Sequence, residues 1–176
     1  MSKLKVDLLS RLKPMALMPE LKGKGLYVFC LRRVKELPGI EVGSQGIVYV
    51  GMTEKSLHIR NHFLHSHSGG STLRRSLGAL LRENLGLEPI RRDSKPENSS
   101  KYRFTDDGEA RLTEWMTENL LAAQVEVSEN IRATEAALIL EMEPPLNLTK
   151  WVNPQKASVS ARRKECADEV LASFRI

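Results

Sequence analysis

Two runs of the chain alternate in the manner of β-strands: GLYVFCLRR, from Gly25 to Arg33, and GIVYVGM, whose strand reads from Ile47 to Met52. The connector from Lys35 to Gly46 holds Pro38, Gly39, Gly43 and Gly46, a turn-rich composition. The pair therefore predicts an antiparallel hairpin with a long loop, which brings Tyr27 and Tyr49 onto one sheet. Helical periodicity follows from Lys55 to Leu64, and again in TLRRSLGALLRENLG, with Ser71 or Thr72 as N-cap and Gly86 as stop. Asp106 with Glu109 forms a capping-box signature for a helix through EARLTEWMTENLL. Asn130–Met142 reads as a helix stopped by Pro144 and Pro145, and Ser158–Phe174 as a last, charged helix. Val6–Leu12 predicts a short helix ended by Pro14, Lys101–Phe104 and Ala123–Val127 carry weaker strand signals, and Arg91–Lys101 has loop composition. This order predicts an α+β fold, a small sheet flanked by helices rather than a doubly wound one.

Composition narrows the picture modestly. The 176 residues suit one domain of ordinary size with a terminal extension. A net charge of +5 favours an anionic partner such as nucleic acid. The two cysteines, Cys30 and Cys166, are far apart and form no CxxC spacing, so reduced thiols are expected. The first residues hold no apolar run of signal-peptide length, and no stretch approaches membrane-spanning length. The expectation is a soluble, cytoplasmic protein with no membrane partner.

Candidate chemistry lies where polar side chains interrupt apolar stripes. On the helix read from Lys55, Arg60 projects into the arc of Leu57, Ile59, Phe63 and Leu64. A guanidinium there needs an anion or a cleft; a snorkelling arginine or a buried ion pair is the structural alternative. On the next candidate helix, Glu135 sits among Ile131, Leu138, Ile139 and Met142, where a carboxylate needs a cation or donors. A metal ion, Arg60, or a plain Glu–Arg salt bridge would each satisfy it. The alanines of that helix leave its apolar face poorly defined. His58, His62, His65 and His67 cluster, and His58 and His62 have i,i+4 spacing, but Ile59 stands where a zinc peptidase carries its glutamate. They read as an exposed polar face. Arg74–Arg75, Arg91–Arg92 and Arg162–Arg163 are candidate phosphate contacts, Trp151 a candidate base-stacking residue, and Trp115 a core residue.

Taken in order, GLY at 25–27, YVG at 49–51, Arg60, Glu135 in ATEAALI and Asn147 ending PPLN resemble the GIY-YIG nuclease superfamily. The resemblance implies a small three-stranded antiparallel sheet with flanking helices, and hydrolysis of phosphodiesters in DNA with one divalent ion, Mg²⁺ or Mn²⁺. It implies that Tyr27 and Tyr49 flank the attacking water, that Arg60 binds the scissile phosphate, that Glu135 holds the metal, and that Asn147 braces the site. A tyrosine base needs a nearby cation to lower its pKa, for which Lys55 is a candidate beside the metal. Residues 23–150 then form the nuclease domain, with a helical insertion at about 72–121, residues 1–22 an N-terminal extension, and residues 151–176 a basic helix in which Arg162 and Arg163, like Arg74 and Arg75 earlier, would meet nucleic acid. RNA is not excluded as substrate. Many relatives carry a histidine one turn after the arginine, where this chain has Leu64. That departure supports an alternative reading, a nucleic-acid-binding module on the same scaffold that cleaves nothing. A zinc-binding interaction domain built on the histidines is a third.

Overall fold

The structure, a computed structural model, describes residues 2–33, 37–60, 67–95 and 101–173. In chain order the described elements are α1 (Lys3–Ser10), β1 (Lys13–Pro14), β2 (Gly25–Leu31), β3 (Ile47–Thr53), α2 (Thr72–Leu85), β4 (Pro89–Arg91), β5 (Tyr102–Phe104), α3 (Asp106–Asn119), β6 (Leu120–Glu126), α4 (Ile131–Met142) and α5 (Lys156–Ala172), with short 3₁₀ turns at Met15–Leu17 and Ser68–Gly70. The main sheet has the order β1-β6-β2-β3, and its pairings are antiparallel. This is the expected α+β architecture: three long strands, plus the two-residue β1 on the edge.

Every residue of β2 is buried, because helices cover both faces of the sheet. Tyr27, Phe29, Leu31 and Ala122 pack with Leu73 and Leu77 of α2, Leu112 and Met116 of α3, and Val159, Cys166 and Val170 of α5. The opposite face sets Leu26, Val28, Cys30, Val50 and Ala123 against Leu8 of α1 and Ile131, Leu138, Ile139 and Met142 of α4. The strand period of two thus sends alternate side chains into two separate helical layers. Burial in the second layer pushes the Cys30 thiol up to about 12, so it stays a neutral, apolar group.

The weak strand signal over Ala123–Val127 underestimates β6. LLAAQVE has little intrinsic β-propensity, and its pairing with both β1 and β2 decides its conformation. The loop composition around Arg91 hides β4, which pairs with β5 in a separate two-stranded sheet. Ser71 caps α2 through Arg74 N–H, and Gly86 ends it in the left-handed region at φ 57°, as its sequence position requires. The capping box is corrected by one residue: Thr105, not Asp106, caps α3 by accepting from Gly108 N–H.

Glu109 turns inward instead of capping. Its Oε2 accepts from two nitrogens of Arg74, at 2.8 Å from the terminal nitrogen and 3.3 Å from Nε. The same guanidinium donates to Glu109 O at 3.0 Å and to Thr113 Oγ1 at 2.9 Å. The other carboxylate oxygen accepts from Ser68 N–H at 2.8 Å, from the Ser68 hydroxyl, and from Phe104 N–H at 3.2 Å. One buried network thus joins the 3₁₀ turn, α2, β5 and α3. Arg74 is fully buried in it, so the expectation that Arg74 meets nucleic acid is corrected.

Removing one member of a buried charge pair strands the other in an apolar interior. Arg74→Leu should therefore lower stability by about 3–5 kcal/mol in urea unfolding. The double replacement Arg74→Leu with Glu109→Leu should recover a large part of that loss, because no charge is left unpaired.

Candidate active site

The paired strands set the centre of the site. In the β2–β3 register Tyr27 faces Gly51 and Phe29 faces Tyr49, so the two tyrosines are diagonal neighbours on one face. Their rings stack with centroids 6.4 Å apart and planes at 23°. The glycines of the two motifs are steric requirements. A Cβ on Gly51 would lie 2.5 Å from the Tyr27 ring, which crosses over that residue, and a Cβ on Gly25 would lie 2.2 Å from the carbonyl oxygen of Val125 on β6.

Arg60 reaches the tyrosines as the last described residue of its segment. The described residues 57–60 form a turn, not an established helix, and Ile59 is 74% exposed rather than part of an apolar arc. Phe63, Leu64, His62 and His65 lie outside the described residues. The turn is tied down by backbone bonds from Leu57 N–H to Gly23 O at 3.0 Å, His58 N–H to Leu21 O at 2.8 Å and Arg60 N–H to Ser56 O at 3.0 Å. These place the guanidinium near enough to the Tyr27 hydroxyl to favour its ionised form. Burial raises the Tyr27 pKa above the usual phenol value, and Arg60 pulls it part of the way back. Tyr49 is raised by burial and then by Tyr27 beside it, with Arg60 and Arg163 opposing. Burial disfavours the charge of Arg60, but the tyrosines beside it outweigh that, and its pKa rises.

Glu135 occupies the inner stripe of α4 with Ile131, Leu138, Ile139 and Met142, while Ala133, Ala137 and Leu140 face outward. The packing thus resolves which face of this nearly uniformly apolar helix is inside. Glu135 is close enough to raise the pKa of both phenols. Its ion-pair partner is not Arg60 but Lys150. Asn147 closes the open edge of β3: its Oδ1 accepts from Val50 N–H at 2.9 Å and its Nδ2 donates to Val50 O at 2.8 Å. The amide thereby grips the backbone between Tyr49 and Gly51.

Other candidates lie elsewhere. Lys55 is exposed, and its backbone N–H donates to Thr53 Oγ1, while Arg60 is the cation that bears on both phenols. His58 faces Glu20 at 4.0 Å, and His67 is exposed. Trp151 is half-buried and donates its indole N–H to Asn147 O at 2.9 Å, so it pins the loop rather than presenting a free stacking face. Trp115 is half-buried at the margin of the core. Arg162 is exposed and faces Glu83 and Glu165. Arg75 and Arg163 are half-buried and line one open cleft of about 370 Å³ with Lys101, Tyr102, Ser160 and Lys164. Burial and then the charge of Arg163 lower the Arg75 pKa. Lys150 escaped sequence reading, because a lysine in a short loop carries no periodic signal.

Among the described residues no helix is long and apolar enough to cross a membrane. No curated protein and no solved structure matches the chain. The family model of the GIY-YIG catalytic domain matches residues 25–168, from the first motif glycine into α5. With both motifs paired on one sheet and most of its length covered by that match, the chain belongs to the GIY-YIG family and carries its catalytic domain, a phosphodiesterase and nuclease domain.

Proposed function

We propose that this protein is an endonuclease that hydrolyses phosphodiester bonds in DNA with a single divalent cation, Mg²⁺ or Mn²⁺. The observation that carries this reading is the stacked pair Tyr27 and Tyr49, with the Arg60 charge beside them and a buried carboxylate, Glu135, near both phenols. Nucleases of this family typically use a divalent metal. The donor set fits one hard cation. Among the described residues no cluster of three or more His, Cys, Asp or Glu side chains exists, and Glu135 stands as a single carboxylate. Mg²⁺ is commonly held by one or two carboxylates and completes its shell with waters and substrate phosphate oxygens.

Glu135 would hold the ion, which when bound offsets phosphate charge and lowers the pKa of nearby water and phenol. Arg60 binds a non-bridging oxygen of the scissile phosphate and stabilises the charge that grows there. Tyr27 is the better placed base, because the Arg60 charge beside it favours the phenolate, whereas Tyr49 is pushed the other way by Tyr27. Water attacks phosphorus, its proton passes to the Tyr27 phenolate, and the P–O bond to the leaving strand end breaks, the departing oxygen taking a proton from solvent. Tyr49 packs on the base ring and, with Asn147 gripping Val50, fixes its position. Arg75 and Arg163 continue the positive surface from Tyr49 and contact backbone phosphates away from the cut. Arg162, held between two glutamates, contributes less.

With Mg²⁺ and supercoiled plasmid, Glu135→Gln and Tyr27→Phe should each slow nicking by about 10²–10⁴-fold while circular dichroism stays unchanged. Parent-like nicking by both variants defeats the site assignment. Salt-sensitive DNA binding by the parent without cleavage of duplex, single-stranded or branched DNA favours the non-cleaving module, and cleavage confined to RNA replaces the substrate.

The pH dependence has a definite sign. Burial holds the Tyr27 pKa above the ordinary phenol value, so its basic form is scarce at neutrality and grows with pH. At saturating metal the parent rate should climb from pH 7 to about 9, by up to about tenfold per unit, and residual Tyr27→Phe cleavage should lose that rise.

Arg75→Ala and Arg163→Ala should each weaken DNA binding across all sequences and reduce the slope of log affinity against log salt by about 1. A filter-binding or anisotropy salt titration measures this, and an unchanged slope removes those residues from the DNA surface.

A further inference from the structure

Among the described residues, two buried carboxylates meet cations, and they are built differently. Glu109 is enclosed by a guanidinium whose side chain is 1% exposed, with backbone and hydroxyl donors filling its remaining lone pairs. Glu135 is as well buried, at 11% side-chain exposure, but its partner Lys150 is 40% exposed and meets it through one terminal nitrogen. An ammonium on a flexible stem, open to water, is an exchangeable counterion; a forked guanidinium in a closed network is not.

The backbone of Lys150 adds a second observation. Its φ is 75°, in the left-handed region that residues with a Cβ rarely adopt. Such a conformation persists only where its surroundings enforce it. Here the loop is fastened on both sides of the lysine. Leu146 N–H donates to Val48 O at 3.1 Å, and Asn147 grips Val50. On the other side Trp151 Nε1 donates to Asn147 O, and Asn153 Nδ2 donates to Pro145 O at 2.9 Å and Asn147 O at 3.0 Å. These bonds fasten the loop in which Lys150 meets Glu135.

We infer that Lys150 is a working part of the catalytic site: it holds the Glu135 carboxylate in the metal-free protein, yields it to the divalent cation, and then serves as a second cation, beside Arg60, for the scissile phosphate. The inference rests on the reading that Glu135 is the metal ligand. A divalent ion outcompetes a monovalent ammonium for a hard carboxylate oxygen and repels the displaced charge. The pinned loop keeps that charge within the cleft, where the incoming anion is the phosphodiester. Lys150 therefore opposes metal binding before substrate arrives and assists the phosphate afterwards.

The test is a Mn²⁺ titration of the full chain without DNA, read by the electron paramagnetic resonance of free Mn²⁺, on the parent, Lys150→Met, Lys150→Arg and Glu135→Gln. Lys150→Met should bind Mn²⁺ about threefold to fivefold more tightly than the parent, the scale of a half-exposed ion pair, and Lys150→Arg should stay near the parent. At saturating Mn²⁺, Lys150→Met should nick plasmid at least about tenfold more slowly, with Lys150→Arg retaining part of the rate. Equal or weaker Mn²⁺ affinity in Lys150→Met, with Glu135→Gln abolishing the site, overturns this inference alone. Tighter Mn²⁺ binding with parent-like nicking overturns the role at the phosphate. Parent-like Mn²⁺ binding by Glu135→Gln overturns the metal assignment and the role of Lys150 with it.

Discussion

The register of β2 against β3 is the constraint on which the site depends. Antiparallel pairing places Tyr27 opposite Gly51 and Phe29 opposite Tyr49, and only a residue without a side chain leaves room for the Tyr27 ring to cross the neighbouring strand. A slip of one residue in either strand would send its tyrosine into the opposite helical layer, among Leu26, Val28 and Val50, and part the two rings. The register is fixed from both sides. β6 runs in contact with Gly25 on one edge of the pair, and on the other the Asn147 amide occupies the unpaired backbone groups of Val50. A side chain in the loop after α4 thus completes an edge that would otherwise stand open.

The protein handles buried charge in two ways, and the difference separates scaffold from chemistry. The Arg74–Glu109 network is saturated with hydrogen bonds and sealed, and it binds the 3₁₀ turn, α2, β5 and α3 into one body beside the sheet. Nothing in it is open to a ligand. Around the tyrosines the charges are open or only half satisfied: Arg60 arrives on an exposed turn, Lys150 on a strained one, and Arg163 from α5. Three cationic side chains drawn from separate parts of the chain surround one buried acid and two phenols.

The ordered motifs were legible because each carries a local physical signature. Gly25 and Gly51 stand in strand runs where a missing side chain signals close approach, and Glu135 interrupts an apolar stripe. Ser71 and Gly86 fix the ends of α2 by local hydrogen bonding. Elsewhere local signals misled. Arg74 and Arg75 are adjacent and look alike, yet one is sealed with Glu109 and the other lines an open cleft, because a helix turns roughly 100° between them. Ile59, read as part of an apolar arc around Arg60, is exposed.

By itself, then, the sequence determined the α+β class, the two motif strands, most helix boundaries and the family, since these rest on periodicity, caps and short ordered motifs. Folding in three dimensions settled the full extent of β6, which arginines are sealed and which open, and that the partner of Glu135 is Lys150 rather than Arg60. Those outcomes depend on contacts between residues far apart in the chain. Pairing, burial and the reach of a side chain are properties of the assembled fold, and no local pattern of residue types encodes them.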